Sequence, residues 1–213
     1  MKPTRQIGLR VLSLVFLFLS VLLFSLAMYL YPGGNPIEKY TMSFDIGKNY
    51  LCNLYSVNAI NDLPNHGRIY AFAASAFLSV SFAITFYLIP IYLCFKHSFR
   101  LWTQSLGTTS MVLAFLIFTP FHDSVINVSG LLGTASLGII FYHLWLQKEY
   151  YNLVLAILAL ICSGLTYIIY YSGYLFHTLA LMQKMSLILF ILWLGNVHLF
   201  LSKKNRAPKL INS

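Results

Sequence analysis

The side chains best able to do chemistry in this sequence are histidines and a carboxylate that lie beside long apolar runs. His66 precedes one run, the adjacent pair His122 and Asp123 precedes another, and His177 precedes the last. Neutral imidazole and carboxylate are zinc ligands, and zinc held by three such groups acidifies a bound water for hydrolysis. The sequence contains neither HExxH nor HxxxH, so the spacing matches no compact metal motif. We therefore expect no cofactor, with zinc at these four residues as the alternative.

A second group of polar residues could hold a ligand through charge and hydrogen bonds. Lys184 is the basic residue inside an apolar run, roughly 10 Å beyond the start of that run. A charge at such a depth indicates a functional site, with Asp123, Asp45 or an anionic lipid headgroup as its partner. The alternative is that Lys184 extends toward the membrane surface. The ligand-binding hypothesis comprises Asp45, Asn49, Asn53, Arg68, His122, Asp123 and Lys184.

The composition shows that membrane helices must position these residues. The chain of 213 residues is 59% hydrophobic and 9% charged, with a mean hydropathy of +0.74, whereas about a quarter of the residues in a soluble domain are charged. Its net charge of +9 arises from basic residues in short connectors, which is typical of membrane topology rather than of nucleic-acid binding. We expect membrane lipids as partners and no nucleic acid. Cys52, Cys94 and Cys162 are expected at three different depths relative to the membrane, so we expect no disulfide.

Six apolar runs are each long enough to cross the roughly 30 Å hydrocarbon core as a helix. The first run could instead be a cleaved signal peptide, because Ser25, Leu26 and Ala27 resemble a cleavage site, but it is long for that purpose. The sequence predicts an all-α membrane protein with one domain, residues 1–213. The helices are predicted at about 11–31, 69–95, 101–119, 125–146, 151–171 and 177–201, with an outer loop at 32–68 and a cytoplasmic tail at 202–213.

Polar and small residues predict how the helices pack. The third run carries hydroxyl and amide side chains that must find partners in protein or water, so we expect a buried helix. Small residues recur at every fourth position in the second and fourth runs, which allows close approach of neighbouring backbones. We expect these two helices to be the closest pair. The polar residues are Thr103, Gln104, Ser105, Thr108, Thr109 and Ser110, and the small ones are Ala71, Ser75, Ser79, Ala83, Gly130, Thr134 and Gly138.

The loop at residues 32–68 is the longest polar segment between apolar runs. Ile46, Tyr50, Leu51, Leu54 and Tyr55 recur at helical spacing. This pattern predicts a short amphipathic helix on the membrane surface, and an irregular loop is the alternative. A free loop of this length is unusual between two helices, so we expect an ordered loop.

We expect the ordered loop to fold over the turn that precedes the fourth helix. This arrangement would bring Asp45, Asn49, Asn53 or Arg68 near His122 and Asp123. Asp123 is also well placed to cap the fourth helix, because the positive end of the helix dipole favours a carboxylate.

Four short motifs suggest a family. They are Tyr31 to Gly34, Asn49 to Leu54, Asn65 to Arg68, and the pair His122 and Asp123. They resemble six-helix bacterial membrane proteins of the domain-of-unknown-function 998 family, which are distantly similar to the Frag/DRAM/Sfk membrane proteins of eukaryotes. The resemblance implies a six-helix bundle with a structured outer first loop and brings no established activity. We therefore expect an integral protein of a bacterial inner (plasma) membrane. The alkaline ceramidase-like hydrolases are less similar, since they have seven helices and a paired histidine motif.

Three classes of function are compatible with these patterns. The first is lipid binding or sensing, or envelope support, through a polar pocket at the outer face. The second is metal-dependent lipid hydrolysis at that face, and the third is transport with Lys184 as the charged site. The absence of a recognisable catalytic constellation favours the first class, which is not enzymatic.

The distribution of basic residues predicts the topology. Ten of them fall on the side of the termini and three on the other, which places the termini in the cytoplasm. We expect a reporter fused after Ser213 to be active only in the cytoplasm, and one inserted near Gly34 only outside. External activity at Ser213 would mean an odd number of spans. The ten are Lys2, Arg5, Arg10, Lys96, Arg100, Lys148, Lys203, Lys204, Arg206 and Lys209, and the three are Lys39, Lys48 and Arg68.

Overall fold

The computed structural model describes residues 3–206, with side chains for residues 4–202, and the regular structure of this part is helical. Helix α1 spans Pro3–Tyr29, α2 spans Arg68–Tyr92, α3 spans His97–Ala114, α4 spans His122–Leu146, α5 spans Tyr150–Ser172 and α6 spans Leu179–Arg206. Short 3₁₀ helices occupy Leu51–Tyr55, Phe115–Phe118 and Phe176–Thr178. Within the described residues, 6 helical segments are long and apolar enough to cross a membrane. The predicted all-α class with six candidate spans is confirmed.

The first and last helices extend beyond the apolar runs. Helix α1 begins at Pro3 rather than near residue 11, and α6 continues through Arg206 rather than ending near residue 201. Arginine and lysine are good helix formers, so a basic flank can continue a helix that an apolar run begins. Residues 207–213 of the predicted tail, and residues 1–2, lie outside the described part.

The chain divides into two compact units. Of the described residues, those within 1–17, 78–156 and 191–213 form the first unit, and those within 18–77 and 157–190 form the second. In the first unit α3 packs along α4. The hydroxyl of Ser110 donates to the carbonyl oxygen of Ser129 at 2.7 Å, and that of Ser136 donates to the carbonyl oxygen of Thr103 at 3.0 Å. Small side chains let the helices approach until each hydroxyl reaches the backbone of its neighbour.

The packed faces of α3 and α4 differ from the sequence prediction. Only 17% of the α3 span is buried, and Ser105 and Thr109 are exposed. The buried face of α3 carries Thr103, Gly107 and Ser110. The prediction of a buried third helix is therefore wrong for Ser105 and Thr109, two of its six polar residues, because one face packs on α4 and the other is exposed.

The predicted small-residue stripe of the fourth helix is also wrong as a packing face. Gly130, Thr134 and Gly138 are exposed, whereas Ser129, Gly133 and Ser136 are buried. Both sets of small residues recur every three or four positions, so spacing alone does not identify the face of the helix that packs. The partner of the buried stripe is α3.

In the second unit the loop between α1 and α2 is folded. Gly34 and Thr41 close one turn through a 2.9 Å bond from the Gly34 amide to the Thr41 carbonyl. Gly34 has a φ of +79°, and a β-carbon there would lie 2.4 Å from the Asn61 amide nitrogen, so the turn requires glycine. Asn65 donates from its side-chain amide to the carbonyl oxygens of Leu54 and Ser56 at 3.0 and 3.1 Å. These contacts connect distant parts of the loop to one another.

The helical segment of the loop is shorter than predicted. Only Leu51–Tyr55 is helical, as one 3₁₀ turn, and Leu54 is fully buried while Ile46 is 62% exposed. The apolar residues therefore do not share one face. A position of this segment at a membrane surface stays a prediction.

Gly107 provides a test of the packing in the first unit. A β-carbon at Gly107 would lie 2.3 Å from Cγ of the buried Phe86 ring. Because Cγ lies near the base of that side chain, we expect Gly107→Ala to lower the free energy of unfolding in detergent by about 1–3 kcal/mol, as overpacking does.

Gly164→Ala is the matched control, since Gly164 also lies within a helix and has no atom within 4 Å of its β-carbon. We expect no loss of stability in this variant. Equal stability of the two variants in thermal unfolding would contradict the described contact between Gly107 and Phe86.

Candidate functional site

Lys184 fastens the loop to α6. It is 7% exposed, and its ammonium donates to the carbonyl oxygen of Asn49 at 2.5 Å and to that of Ala180 at 2.9 Å. The ammonium nitrogen also lies 5.4 Å from the ring centroid of Phe44. A buried cation requires such partners because the loss of hydration is costly. The hydrogen-bond acceptors of Lys184 are backbone carbonyls, and it forms no ion pair within the described residues. An anionic headgroup as a further partner stays a prediction.

Asn49 and Asp45 hold the backbone that Lys184 contacts. Oδ1 of Asn49 accepts from the Asp45 amide at 2.8 Å, and its side-chain amide donates to the Gly34 carbonyl at 2.7 Å. Oδ1 of Asp45 accepts from the amides of Gly47 and Lys48 at 2.7 and 3.2 Å. Asn49 is fully buried. These two predicted ligand-binding residues form the frame of the loop.

Asn53 and Gln183 add a second attachment beside the first. Oδ1 of Asn53 accepts from the Tyr50 amide at 2.6 Å and so begins the 3₁₀ turn Leu51–Tyr55. The next amide, that of Leu51, donates to Oε1 of Gln183 at 3.2 Å. Gln183 and Lys184 are consecutive in α6, so two neighbouring side chains satisfy backbone groups of the loop.

Arg68 lies in a groove at the amino end of α2. The groove has a volume of about 380 Å³ and is lined by Asn65, His66, Arg68, Ile69 and Phe72. Nε of Arg68 donates to the Tyr55 carbonyl at 2.9 Å, and its guanidinium carbon lies 4.9 Å from the Phe72 ring centroid. His66 is exposed and Ile69 is 69% exposed. Polar and apolar surfaces thus meet in one groove.

Tyr55 supports the back of this groove. Its hydroxyl lies 2.5 Å from Oγ of Ser75, and its ring stacks on that of Phe72 with centroids 5.6 Å apart. Burial raises the pKa of Tyr55 to about 12, so the phenol keeps its proton even in alkaline solution near pH 10, where a free tyrosine ionises. Sequence reasoning assigned no such role to Tyr55 or Ser75, although a helical stripe containing Ser75 was visible.

His122 and Asp123 lie at the start of α4. Phe121 occupies the N-cap position, so Asp123 is in the first turn rather than at the cap that the sequence suggested. Nδ1 of His122 lies 3.0 Å from Oδ1 of Asp123. The carboxylate remains favourable near the positive end of the helix dipole. The predicted approach of the loop to this pair stays a prediction.

The four predicted zinc ligands do not form a metal centre in the described residues. Across this part of the chain, no three histidine, cysteine, aspartate or glutamate side chains are grouped so that they could hold an ion. His66 is exposed in the groove, and His177 is exposed in the 3₁₀ turn Phe176–Thr178. The zinc hypothesis gains no support here and stays a prediction.

The first unit contains a buried polar cluster that sequence reasoning did not assemble. Ser13, Ser81, Thr85 and His198 are each at most 1% exposed. Nε2 of His198 lies 2.8 Å from Oγ of Ser13 and 3.0 Å from Oγ1 of Thr85. The sequence contains one indication of this cluster. The hydroxyl residues lie toward the predicted cytoplasmic ends of the first two apolar runs, and His198 lies toward the cytoplasmic end of the last run.

Bonds to backbone carbonyls complete this cluster. The Thr85 hydroxyl donates to the Ser81 carbonyl at 2.8 Å, and the Ser81 hydroxyl donates to the Ser13 carbonyl at 2.8 Å. Nδ1 of His198 is buried and has no hydrogen-bond partner among the described residues. The cluster joins α1, α2 and α6, so its role is structural.

These features define a class rather than an individual protein. The six helices are those of a multi-pass integral membrane protein. A folded loop connects α1 to α2 and is attached to α6 through Lys184. No protein-family model, curated protein or solved structure matches the chain.

Lys184→Met tests the attachment of the loop. Methionine keeps an unbranched side chain but leaves the Asn49 carbonyl without its donor, so we expect a loss of about 1–3 kcal/mol in unfolding free energy. We also expect faster tryptic cleavage at Lys39 and Lys48. Met185→Leu is the matched control, because Met185 is the next residue and is 49% exposed. Unchanged cleavage and stability in Lys184→Met would rule out the attachment.

Proposed function

We propose that this protein binds anionic lipid at the outer face of a bacterial inner membrane, through the groove formed by Asn65, His66, Arg68, Ile69 and Phe72. Lipid sensing or support of the envelope would follow from such binding. The observation that carries the proposal is a cation and an imidazole placed in one groove beside apolar side chains.

The orientation follows from the basic residues. Ten of the basic residues lie on the side of the termini and three on the side of the loop. By the positive-inside rule, the termini are cytoplasmic and the loop is extracytoplasmic. The groove then faces the outer leaflet, at the level where headgroups meet acyl chains. The resemblance to the domain-of-unknown-function 998 family favours the same orientation.

The charge in the groove favours an anion. In the described part of the chain, Arg68 forms no ion pair, and its terminal amino groups have no hydrogen bonds. The other two loop cations differ, since Lys39 lies 2.6 Å from Asp62 and Lys48 lies 3.4 Å from Glu38. A guanidinium can form paired hydrogen bonds with a phosphate, which is why arginine recurs at phosphate sites. The amino end of α2 adds the favourable end of its dipole.

The apolar part of the groove favours a lipid over a free anion. Ile69 is 69% exposed next to Arg68, and the Phe72 ring lies under the guanidinium. An acyl chain in contact with Ile69 would remove apolar surface from water at about 25 cal/mol per Å². The groove thus offers one surface for a phosphate and another for a chain.

The groove is held in a defined geometry by the loop. Nε of Arg68 is fixed by the Tyr55 carbonyl, and the Tyr55 hydroxyl contacts Ser75. A fixed guanidinium loses less conformational entropy when a ligand binds. Lys184, by contrast, already donates to two carbonyls, so its geometry supports a structural role more than a transport site.

Binding of fluorescent phosphatidylglycerol in detergent tests the proposal, with phosphatidylcholine of the same chain length as the comparison lipid. We expect the wild-type protein to prefer phosphatidylglycerol. Arg68→Gln should bind it about 10- to 100-fold more weakly, because a charge-assisted hydrogen bond contributes about 1.5–3 kcal/mol.

Lys39→Gln is the matched control, because Lys39 is a loop cation that is already paired with Asp62. We expect its affinity to equal that of the wild type. An equal loss in both variants would indicate a general charge effect, and no loss in Arg68→Gln would contradict the proposed groove. Thermal unfolding of each variant separates lost binding from lost folding.

A further inference from the structure

The groove at Arg68 is built on the carboxyl end of the 3₁₀ turn of the loop. Nε of Arg68 donates to the Tyr55 carbonyl at 2.9 Å. The side-chain amide of Asn65, which also lines the groove, donates to the carbonyl oxygens of Leu54 and Ser56 at 3.0 and 3.1 Å. Three consecutive backbone carbonyls therefore set the positions of two groove residues.

The amino end of the same turn is held by α6. Leu51 is the first residue of the turn, and its amide donates to Oε1 of Gln183 at 3.2 Å. The first amides and the last carbonyls of a helical turn have no partner within it, so both ends require groups from elsewhere. Gln183 supplies such a group at one end, and the groove residues supply them at the other.

The turn is short and restrained along its length. It has 5 residues, which span roughly 8 Å at about 2.0 Å per residue. Leu54 is fully buried within it, and Oδ1 of Asn53 accepts from the Tyr50 amide at 2.6 Å. These restraints make the turn a stiff connection, so a displacement of the Leu51 amide also displaces the Tyr55 carbonyl.

We propose that Gln183 is a positioning residue for the groove and sets its affinity for anionic lipid. This inference rests on the lipid binding proposed above. In the described structure Gln183 does not line the groove, so it acts through the turn. By holding the Leu51 amide, it keeps the Tyr55 carbonyl where Nε of Arg68 reaches it. Without this bond the guanidinium has more freedom and loses more conformational entropy when it binds a phosphate.

The role of Gln183 is separable from the attachment of the loop. Lys184, the next residue, donates to the Asn49 carbonyl and to the Ala180 carbonyl. These bonds remain when Gln183 is changed, so the loop stays fastened while the amino end of the turn is released. A variant of Gln183 therefore tests the position of the turn rather than the fold of the loop.

Hydrogen exchange in detergent, without lipid, tests whether Gln183 holds the turn. Gln183→Leu keeps the size of the side chain and removes the acceptor. We expect amides of residues 51–55 to exchange about 2- to 10-fold faster, because a hydrogen bond contributes about 0.5–1.5 kcal/mol. The separate turn between Gly34 and Thr41 should exchange at the wild-type rate. Unchanged exchange at residues 51–55 would overturn the proposal.

Two further variants show whether the acceptor is responsible. Gln183→Glu keeps an acceptor oxygen, so we expect it to restore slow exchange in the turn. Asn196→Leu is the matched control, because it makes the same kind of change in α6, where the Asn196 amide donates to the Leu192 carbonyl of its own helix at 3.1 Å. We expect no effect on the turn from this control. Fast exchange in Gln183→Glu, or in the control, would contradict the assigned contact.

Lipid affinity then tests whether the turn positions Arg68. We expect Gln183→Leu to bind phosphatidylglycerol about 2- to 10-fold more weakly than the wild type. In an Arg68→Gln background the same change should cause no further loss, because its effect passes through Arg68. Wild-type affinity in Gln183→Leu, or an equal loss in both backgrounds, would overturn the positioning role.

The same measurements distinguish this inference from the proposed function. If the wild-type protein does not prefer phosphatidylglycerol over phosphatidylcholine, the proposed lipid binding fails, and with it the effect of Gln183 on affinity. The hydrogen exchange still decides whether Gln183 holds the turn. If the wild type shows the preference and Gln183→Leu retains full affinity despite fast exchange, lipid binding stands and the positioning role is overturned.

Discussion

A buried ammonium determines how the second unit is built. Lys184 lies in an apolar segment, and burial of a cation is tolerated only where hydrogen bonds replace its lost hydration. Its acceptors are the Ala180 carbonyl of its own helix and the Asn49 carbonyl of the loop. The loop carbonyl is available because Asn49 and Asp45 fix the local backbone. The loop is therefore a structural part of the protein, and the geometry around Arg68 depends on the same folded segment.

The same requirement explains the arrangement of polar residues in the first unit. The hydroxyls of Ser13, Ser81 and Thr85 and Nε2 of His198 form hydrogen bonds within the first unit, and Ser110 and Ser136 bond to the neighbouring helix backbone. Hydroxyls are acceptable in an apolar environment when each one reaches an acceptor.

The helices could be predicted because an apolar run of about 20 residues allows few other structures in a membrane. Their ends were less predictable, since Arg10 and Arg206 continue helices that apolarity alone would have ended. An ordered loop was expected from its length alone, because a free chain of that length is unusual between two helices. The predicted helix of the loop was too long. The apolar residues from Ile46 to Tyr55 have helical spacing, but they differ in burial and do not form one face.

The contacts of the candidate site were much less accessible from sequence. Lys184 could be recognised by its depth, but its partners are backbone carbonyls, which have no residue signature. The rotation of a helix about its axis is set by packing, so the sequence could not show which polar face of α3 meets α4. His66 and Arg68 were identified by residue type, whereas the contribution of Ile69 and Phe72 to the same groove depended on the geometry at the start of α2.

The attachment at Lys184 also sets an order of events during synthesis. Asn49 and Lys184 are separated by 135 positions, so the loop is complete long before its partner exists. At about 5–20 residues per second, the interval is on the order of 10 s. During that time the Asn49 carbonyl lacks its Lys184 donor, and the Leu51 amide lacks its Gln183 acceptor. The loop can complete its fold only after the last helix has been synthesised and inserted. The contact between Asn49 and Lys184 is therefore a late step of biogenesis.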